Sequence, residues 1–397
     1  MQLVMLASLF VFFITFNDWI HFDAITKEQA EKGWHLCWPY FRNCGDWYFL
    51  SMLPDGYSQN LFYMGLFVVM ALVAVCLWKK RLAAAHFGLA LLLLWEVVFL
   101  FVLNIGRRGN YDYYQVILTF ILLLLPYKFS FLRITFCSLY FLSSSIKINA
   151  GWVLGTYFTS LQIGMPIFPQ ESTPLFTNTV IFMEMVGTWF LLSRHRILQR
   201  LALIYFISFH LYSGIIVWYR YPASIMPYLL ILFGPFYEKS EVPLTRRSLP
   251  GWAFMVFLAC MQSISFIIPK DSRMTFEGLN YGFYMFDSNH QCASAREVVY
   301  KSGKSKVSVT EMPSSRSRCD PYYRLFKIWS LCKREAEVID HVKWRFIQSI
   351  NGGPFYKIVD VDNACRLEYK VFGHNDWIRT PQDGAELLGY PVKNVYF

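Results

Sequence analysis

One lysine, Lys147, lies at the end of an apolar segment of the sequence, within residues 140–155. Two explanations fit a cation in this position. A lysine at a helix end can lay its aliphatic stem along lipid and extend its ammonium group to the membrane surface. Alternatively, the amine is buried, and burial favours its neutral form, which can act as a base. Position alone leaves both explanations open.

Three further polar side chains interrupt apolar segments and could take part in proton transfer. Glu96 and Glu184 lie where a carboxyl group either faces a polar interior or is protonated. His210 could carry a proton or form a hydrogen bond between helices. The cysteines and histidines form no CxxC pair and no cluster with zinc spacing, so the sequence predicts no metal site.

Composition indicates which elements position these side chains. Hydrophobic residues make up 55% of the 397 residues and charged residues 16%, which is typical of a membrane protein. Nine segments are apolar and long enough, or nearly so, to cross about 30 Å of hydrocarbon. They are residues 3–20, 60–77, 82–103, 113–125, 131–146, 178–193, 201–218, 223–236 and 252–268. We therefore expect an α-helical polytopic membrane protein, with about nine transmembrane helices over residues 1–269.

Residues 270–397 are richer in charge and predict a C-terminal α+β extramembrane domain. Asp320 and Pro321 have the residue types of a helix N-cap and a first helical position. Short alternating segments on either side of this helix predict two β-hairpins. The hairpins pair 297–300 with 306–310, and 342–350 with 355–361 around Asn351-Gly352-Gly353.

The formal net charge of +10 resides in short basic clusters between apolar segments, which indicates membrane orientation rather than nucleic-acid binding. One set of alternate loops holds Lys79, Lys80, Arg81, Lys128, Arg133, Arg194, Arg196, Arg200, Lys239, Arg246 and Arg247. The opposite set holds Lys27, Lys32, Arg42, Arg107, Arg108, Lys147 and Arg220. Because basic loops stay in the cytoplasm, we expect a cytoplasmic N-terminus and a periplasmic or lumenal C-terminal domain. The membrane would be a bacterial inner membrane or the endoplasmic reticulum.

Six cysteines fall on that expected outer side, where disulfides persist. They are Cys37, Cys44, Cys292, Cys319, Cys332 and Cys365. Their connectivity does not follow from the sequence, but pairing Cys37 or Cys44 with Cys332 would tie the first loop to the C-terminal domain. The remaining cysteines, Cys76, Cys137 and Cys260, lie in apolar segments and are expected to be packing residues.

Residues 140–155 resemble the lysine-bearing segment of the vitamin K-dependent gamma-glutamyl carboxylases. The matching residues are Tyr140, Phe141, Lys147, Ala150, Trp152, Val153 and Gly155, whereas Asn149 and Gly151 replace two acids. Three other segments are similar to the family in the same order: Phe209-His210 followed by 226–228, residues 277–283, and residues 346–351. Together they identify the chain as a member of the broader family that shares a horizontally transferred transmembrane (HTTM) domain.

This resemblance implies a quinol oxygenase chemistry. Lys147 would deprotonate reduced vitamin K or a related quinol, O2 and CO2 would be co-substrates, and a protein substrate would be carboxylated on glutamyl residues. His210 would be the second catalytic residue. The quinol pocket would contain Trp152, Asn110, Tyr111, Glu184 and Tyr281. The partners of the protein would be the lipid membrane and a lipid-soluble quinol. No nucleic acid and no metal are expected.

The sequence also departs from the family. Arg108-Gly109-Asn110-Tyr111 stands in place of an Asn-His-Ser-Tyr segment, so a family histidine linked to the oxygen chemistry is missing. The C-terminal region lacks the segments that hold a propeptide, so recognition of a protein substrate would differ. Two alternatives therefore stay open: a non-catalytic membrane binding or assembly protein, and another quinone-linked membrane oxidoreductase. A transporter is disfavoured by the sparse intramembrane charges and the lack of an evident inverted repeat.

Overall fold

The computed structural model describes residues 1–22, 36–41, 44, 57–98, 109–161, 164–216, 219–235, 244–279, 281–284, 287–312 and 319–390. The chain divides into two units. The helical unit comprises Met1–Ser145 and Thr179–Cys260, and the sheet unit comprises Ile146–Asn178 and Met261–Phe397. This division differs from the predicted boundary between residues 269 and 270, because the segment with Lys147 belongs to the sheet unit.

The helices lie close to the apolar segments of the sequence. Their bounds are α1 Gln2–Phe22, α2 Tyr57–Trp78, α3 Leu82–Glu96, α4 Asn110–Leu124, α5 Lys128–Ser145, α6 Ala150–Val153, α7 Thr156–Thr159, α8 Thr173–Met185, a 3₁₀ helix Gly187–Leu192, α9 Arg196–Ile216, α10 Arg220–Phe233, α11 Leu249–Ile267 and α12 Ser272–Thr275. Local chemistry sets several ends. The carboxylate of Asp112 accepts from the backbone N–H of Gly109 at the start of α4. At its other end, Leu125 is extended because Pro126 follows it.

The expectation of about nine transmembrane helices is wrong. Among the described residues, two helical stretches are long and apolar enough to cross a membrane, Asn60–Trp78 in α2 and Leu249–Ile267, which is α11. By contrast, α4, α8 and α10 have 15, 13 and 14 residues. At 1.5 Å per residue these helices are roughly 20 to 23 Å long, short of the hydrocarbon thickness of about 30 Å. Apolarity alone overestimated the number of spans because helices buried in protein are also apolar.

The C-terminal part of the sheet unit contains a five-stranded antiparallel sheet in the order β2-β1-β3-β4-β5. The strands are β1 His290–Tyr300, β2 Ser305–Met312, β3 Ile339–Ile350, β4 Phe355–Val361 and β5 Glu386–Gly389, and α13 spans Pro321–Arg334 between β2 and β3. Both predicted hairpins are confirmed. At the β3–β4 turn, Asn351 and Gly352 have φ of 52° and 70°, which is the backbone region that an Asn-Gly pair adopts readily.

The helix α13 begins as its sequence predicts. The Asp320 side chain accepts from the backbone N–H of Tyr322 at 2.8 Å, and Pro321 occupies the first turn. Its apolar face includes the buried Leu325 and Ile328, and the core of the sheet contains the fully buried Trp344. Burial of these side chains is the main stabilising contribution in this region.

Three disulfides join the six cysteines expected to pair, Cys37–Cys44, Cys292–Cys319 and Cys332–Cys365. The suggested link from Cys37 or Cys44 to Cys332 is wrong. Cys37 lies only seven residues from Cys44, with their Cα atoms 5.4 Å apart, and the Cα atoms of Cys332 and Cys365 are 5.9 Å apart. Both separations suit a disulfide, so each cysteine pairs within its own unit. Cys76, Cys137 and Cys260 are free thiols.

Candidate functional site

Lys147 is buried in the turn between α5 and α6, with only 1% of its surface exposed. Its ammonium nitrogen lies 4.8 Å from the centre of the Trp152 ring, in cation–π geometry. The interpretation of Lys147 as a lysine that extends into water at the membrane surface therefore does not fit. The amine is instead buried against the aromatic face of Trp152.

An aromatic stack continues from Trp152. The Tyr157 ring lies 5.2 Å from the Trp152 ring at an interplanar angle of 15°, and Phe158 contacts both rings edge-on. On the outside of the same segment, Ile148, Val153 and Leu154 are exposed. Lys147 thus lies between an aromatic interior and an apolar exterior, which together limit the access of water to its amine.

The two residues that replace family acids have structural roles. The Asn149 side chain caps α6 by accepting from the backbone N–H of Trp152, and its amide donates to the carbonyl oxygens of Ile146 and Asp287 at 2.9 and 3.3 Å. Gly151 allows the Asn351 side chain to approach, because a Cβ at this position would lie 2.1 Å from its amide nitrogen. These contacts fix the Lys147 turn against the sheet unit's own loops.

A cluster of titratable groups lies at the start of β1. Burial raises the pKa of Asp287 to about 6 and lowers the pKa of His290 to about 4. The Nε2 atom of His290 is 2.8 Å from the carbonyl oxygen of Arg273, which can only accept, so Nε2 carries the proton. Arg273 itself forms a bidentate ion pair with Asp271, in which Nε donates to Oδ1 at 2.8 Å and Nη2 donates to Oδ2 at 2.7 Å. At neutral pH, His290 is therefore neutral.

Tyr281, a predicted pocket residue, contacts the C-terminal part of the sheet unit. Its hydroxyl donates to the carbonyl oxygen of Val371, and its ring stacks on Phe372. Nearby in sequence, the buried carboxylate of Glu277 accepts from His374 Nδ1 at 2.7 Å and from the backbone and side chain of Asn375 at 2.6 and 2.7 Å. The residues after α12 therefore hold the loop at 370–375 in place.

In the helical unit, His210 is fully buried on α9. Its Nε2 atom is hydrogen-bonded to the Tyr140 hydroxyl, and its ring lies 5.3 Å from the Tyr221 ring. Tyr114 completes a group of three buried tyrosines, with ring centres 6.4 Å from Tyr140 and 6.3 Å from Tyr221. Glu184 is buried and interacts electrostatically with all three phenols. His210 and Glu184 thus share one buried aromatic cluster.

The predicted pocket residues Asn110 and Tyr111 lie in the first turn of α4, beside a buried ionic group. The Arg220 guanidinium lies 4.0 Å from the Tyr111 ring centre and donates to its hydroxyl at 3.2 Å. Arg220 also pairs with Asp18 at 2.9 Å and with Asp112 at 2.8 Å. We call Asp18, Asp112 and Arg220 the ionic triad.

The predicted site residues therefore divide between the units. Lys147, Trp152 and Tyr281 belong to the sheet unit. The helical unit contains His210, Glu184, Asn110 and Tyr111. The departure at residues 108–111 is only partly described, because Arg107 and Arg108 lie outside the described residues. Among the described residues, no group of three or more His, Cys, Asp or Glu side chains could hold a metal ion.

Sequence reasoning missed the ionic triad and the cluster around Asp287 and His290. From the sequence, Arg220 was treated as a loop charge. Asp18 and Asp112 at the ends of apolar segments were a signal that these carboxyl groups needed a buried cationic partner. No comparable signal marked Asp287 or His290, because both lie in the charged C-terminal region. Their burial depends on the sheet.

Comparison of the chain with protein-family models, with curated proteins and with solved structures found no match. The case for a function therefore depends on the residues of the two sites.

Proposed function

We propose that this chain is an integral membrane protein related to the vitamin K-dependent carboxylases and the HTTM family, in which Lys147 acts as a base toward a lipid-soluble quinol. The quinol hydroxyl would give its proton to the amine of Lys147, and the electron pair would stay on the quinol oxygen. O2 would then oxidise the quinol, with CO2 as the second co-substrate and a glutamyl residue of a protein as the acceptor. Reduced vitamin K or a related quinol is the proposed co-substrate.

The observation that carries this proposal is the burial of Lys147 against Trp152, beside the exposed apolar side chains of Ile148 and Leu154. An amine can act as a base only when it is neutral. An apolar surface next to the amine suits a quinol that arrives from lipid. The aromatic faces of Trp152 and Tyr157 suit a planar ring by stacking.

Membrane insertion is supported by the distribution of apolar side chains. Each candidate span is less than a third buried inside the protein. The buried share of its most apolar part is 28% in α2 and 22% in α11. Large side chains such as Met64, Phe67 and Val256 are more than half exposed. Such surfaces are stable in lipid and aggregate in water. The proposed location is a bacterial inner membrane or the endoplasmic reticulum, with the N-terminus in the cytoplasm.

The experiment is quinol-dependent O2 uptake and epoxide formation by the purified protein in lipid nanodiscs. Lys147→Met keeps the aliphatic stem over Trp152 and removes only the amine, so we expect activity to fall to the level of empty nanodiscs. Lys304→Ala, at an exposed position in the β1–β2 turn, is the matched control and should retain full activity. CO2 incorporation into a glutamyl peptide is measured in parallel.

The outcomes distinguish a carboxylase from another quinone-linked oxidoreductase and from a protein in which Lys147 is not a base. Activity that needs Lys147 and incorporates CO2 supports the carboxylase reading. Oxygen uptake that needs Lys147 without CO2 incorporation supports another quinone-linked oxidoreductase. If the folded wild-type protein consumes no O2 with any lipid-soluble quinol, or Lys147→Met is fully active, Lys147 is not the base.

A non-catalytic membrane binding or assembly protein is the second candidate. The cation–π contact between Lys147 and Trp152 favours it, because that contact gives the lysine a structural role without chemistry. Under this reading, Lys147→Met lowers the melting temperature and wild-type protein shows no oxygen uptake. Melting curves of both proteins in the same nanodiscs decide the point.

A further inference from the structure

A row of buried polar side chains lies inside the helical unit. His210 is not one of its members. The row occupies one face each of α1, α4 and α10, because its members are three, four or seven residues apart in each helix. We call it the polar seam. Its members are Ser8, Thr15 and Asp18 in α1, Asp112, Gln115 and Thr119 in α4, and Arg220, Ser224 and Tyr228 in α10, all of them buried.

Hydrogen bonds connect the seam across the helices. The hydroxyls of Ser8 and Tyr228 are 2.8 Å apart, and Thr15 donates to the side-chain oxygen of Gln115 at 2.7 Å. At one end, the ionic triad joins α1, α4 and α10. From Ser8 to Asp18 the seam extends along ten residues of α1, which corresponds to roughly 15 Å. Polar side chains therefore line the inside of the unit over about half the thickness of a bilayer core.

Glu96, the last residue of α3, adds a further carboxyl group to this interior. It is fully buried, and neither of its oxygens has a hydrogen-bond partner among the described residues. Its carboxyl group interacts electrostatically with Asp112 and Arg220, and with the Tyr228 hydroxyl. Glu96 therefore lies within electrostatic range of Asp112, Arg220 and Tyr228.

The charges around Glu96 are not balanced if it is ionised. The triad contains one cation, Arg220, and two carboxylates, Asp18 and Asp112, so it already carries a formal charge of minus one. The neighbouring α2 contributes no compensating charge, because residues 57–78 include no Asp, Glu, Lys, Arg or His. No described side chain forms a hydrogen bond with Glu96, and a buried carboxyl group without a partner takes up a proton.

We propose that Glu96 is a proton-binding site buried in the helical unit. The ligand is the proton itself. In the protonated form, the carboxyl group is neutral and compatible with its surroundings. On release, hydroxide from the solvent takes the proton from the carboxyl oxygen to form water, and the negative charge stays on Glu96 in the field of Arg220. This proposal does not depend on quinol chemistry at Lys147.

Infrared spectroscopy of the protein in nanodiscs tests the site directly. Wild type should show the carbonyl stretch of a protonated carboxyl group that shifts in D2O and loses intensity between acidic and alkaline buffer. Glu96→Gln, a neutral variant of the same shape, should remove this band and keep the melting temperature. Glu171→Gln, at an exposed position before α8, is the matched control and should leave the band unchanged.

A second variant tests whether the band belongs to Glu96 itself. Tyr228→Phe removes only the hydroxyl, so the band should persist. A wild-type spectrum without such a band overturns the proposal, and this result does not depend on any variant. A band that survives in folded Glu96→Gln protein overturns it as well. Loss of the band in a folded Tyr228→Phe protein also overturns the proposal.

Discussion

The two units place their charges in opposite ways. In the helical unit, the ionic triad and Glu96 are buried, whereas large apolar side chains such as Met64 and Phe67 are exposed. In the sheet, the largest aromatic side chains, such as Trp344, are buried, and ion pairs such as Arg345–Asp360 and Lys357–Glu386 lie at the surface. The first distribution suits a hydrocarbon solvent and the second suits water. The same side-chain chemistry therefore has different consequences in the two units.

The largest expected difference between the units comes from breaking one ion pair in each of them. Arg220→Met leaves Asp18 and Asp112 buried without their cation, which should cost about 3–5 kcal/mol in free energy of unfolding. Arg345→Met breaks the partly exposed pair with Asp360 and should cost at most about 1 kcal/mol. Denaturation of both variants in the same lipid measures the difference.

A triple variant sharpens this test. Arg220→Met combined with Asp18→Asn and Asp112→Asn removes all three charges, so it should recover part of the lost stability. Equal losses for Arg220→Met and Arg345→Met would contradict the contrast between the units.

The next effect concerns pH and the sheet unit. The pKa of Asp287 is about 6 when folded against 3.8 for an ordinary aspartate, so its contribution to stability is lost as pH rises from about 4 to about 6. The pKa of His290 is about 4 against 6.5, so its contribution is lost as pH falls through the same range. Each shift corresponds to about 3 kcal/mol, and the two oppose each other.

Single variants should separate these two contributions. In Asp287→Asn, His290 acts alone, and the free energy of unfolding should rise by about 3 kcal/mol from about pH 4 to about pH 6.5. In His290→Gln, it should fall by a similar amount from about pH 4 to about pH 6. Wild type should vary little. Chemical denaturation across this range measures all three proteins, and parallel pH profiles would show that neither group titrates as described.

The smallest effect compares two valines of equal exposure. Val68 in α2 is 53% exposed and Val307 in β2 is 51% exposed. If α2 faces lipid, Val68→Thr places a hydroxyl in hydrocarbon and should cost about 1 kcal/mol. Val307→Thr faces water in a strand that tolerates threonine, so its effect should stay within about 0.5 kcal/mol. Thermal unfolding in nanodiscs compares them, and a larger loss for Val307→Thr would argue against a lipid-facing α2.

Much of the local structure could be predicted from the sequence. The helices follow the apolar segments, Asp320-Pro321 begins α13, and Asn351-Gly352 forms the β3–β4 turn, because each depends on residues close in sequence. The number of spanning helices could not be predicted from apolarity, because a lipid-facing helix and a buried helix have similar compositions. Disulfide pairing was equally undetermined, since six cysteines allow fifteen connectivities.

The candidate site shows the same division. The sequence by itself determined that Lys147 is an isolated cation in an apolar segment, and that Trp152 and Asn149 lie within one or two helical turns of it. Only the tertiary structure decided that its amine is buried over Trp152, that Tyr140 meets His210, and that Arg220 joins two carboxylates. Burial and pairing depend on residues distant in the chain, whereas composition and spacing report only on neighbours.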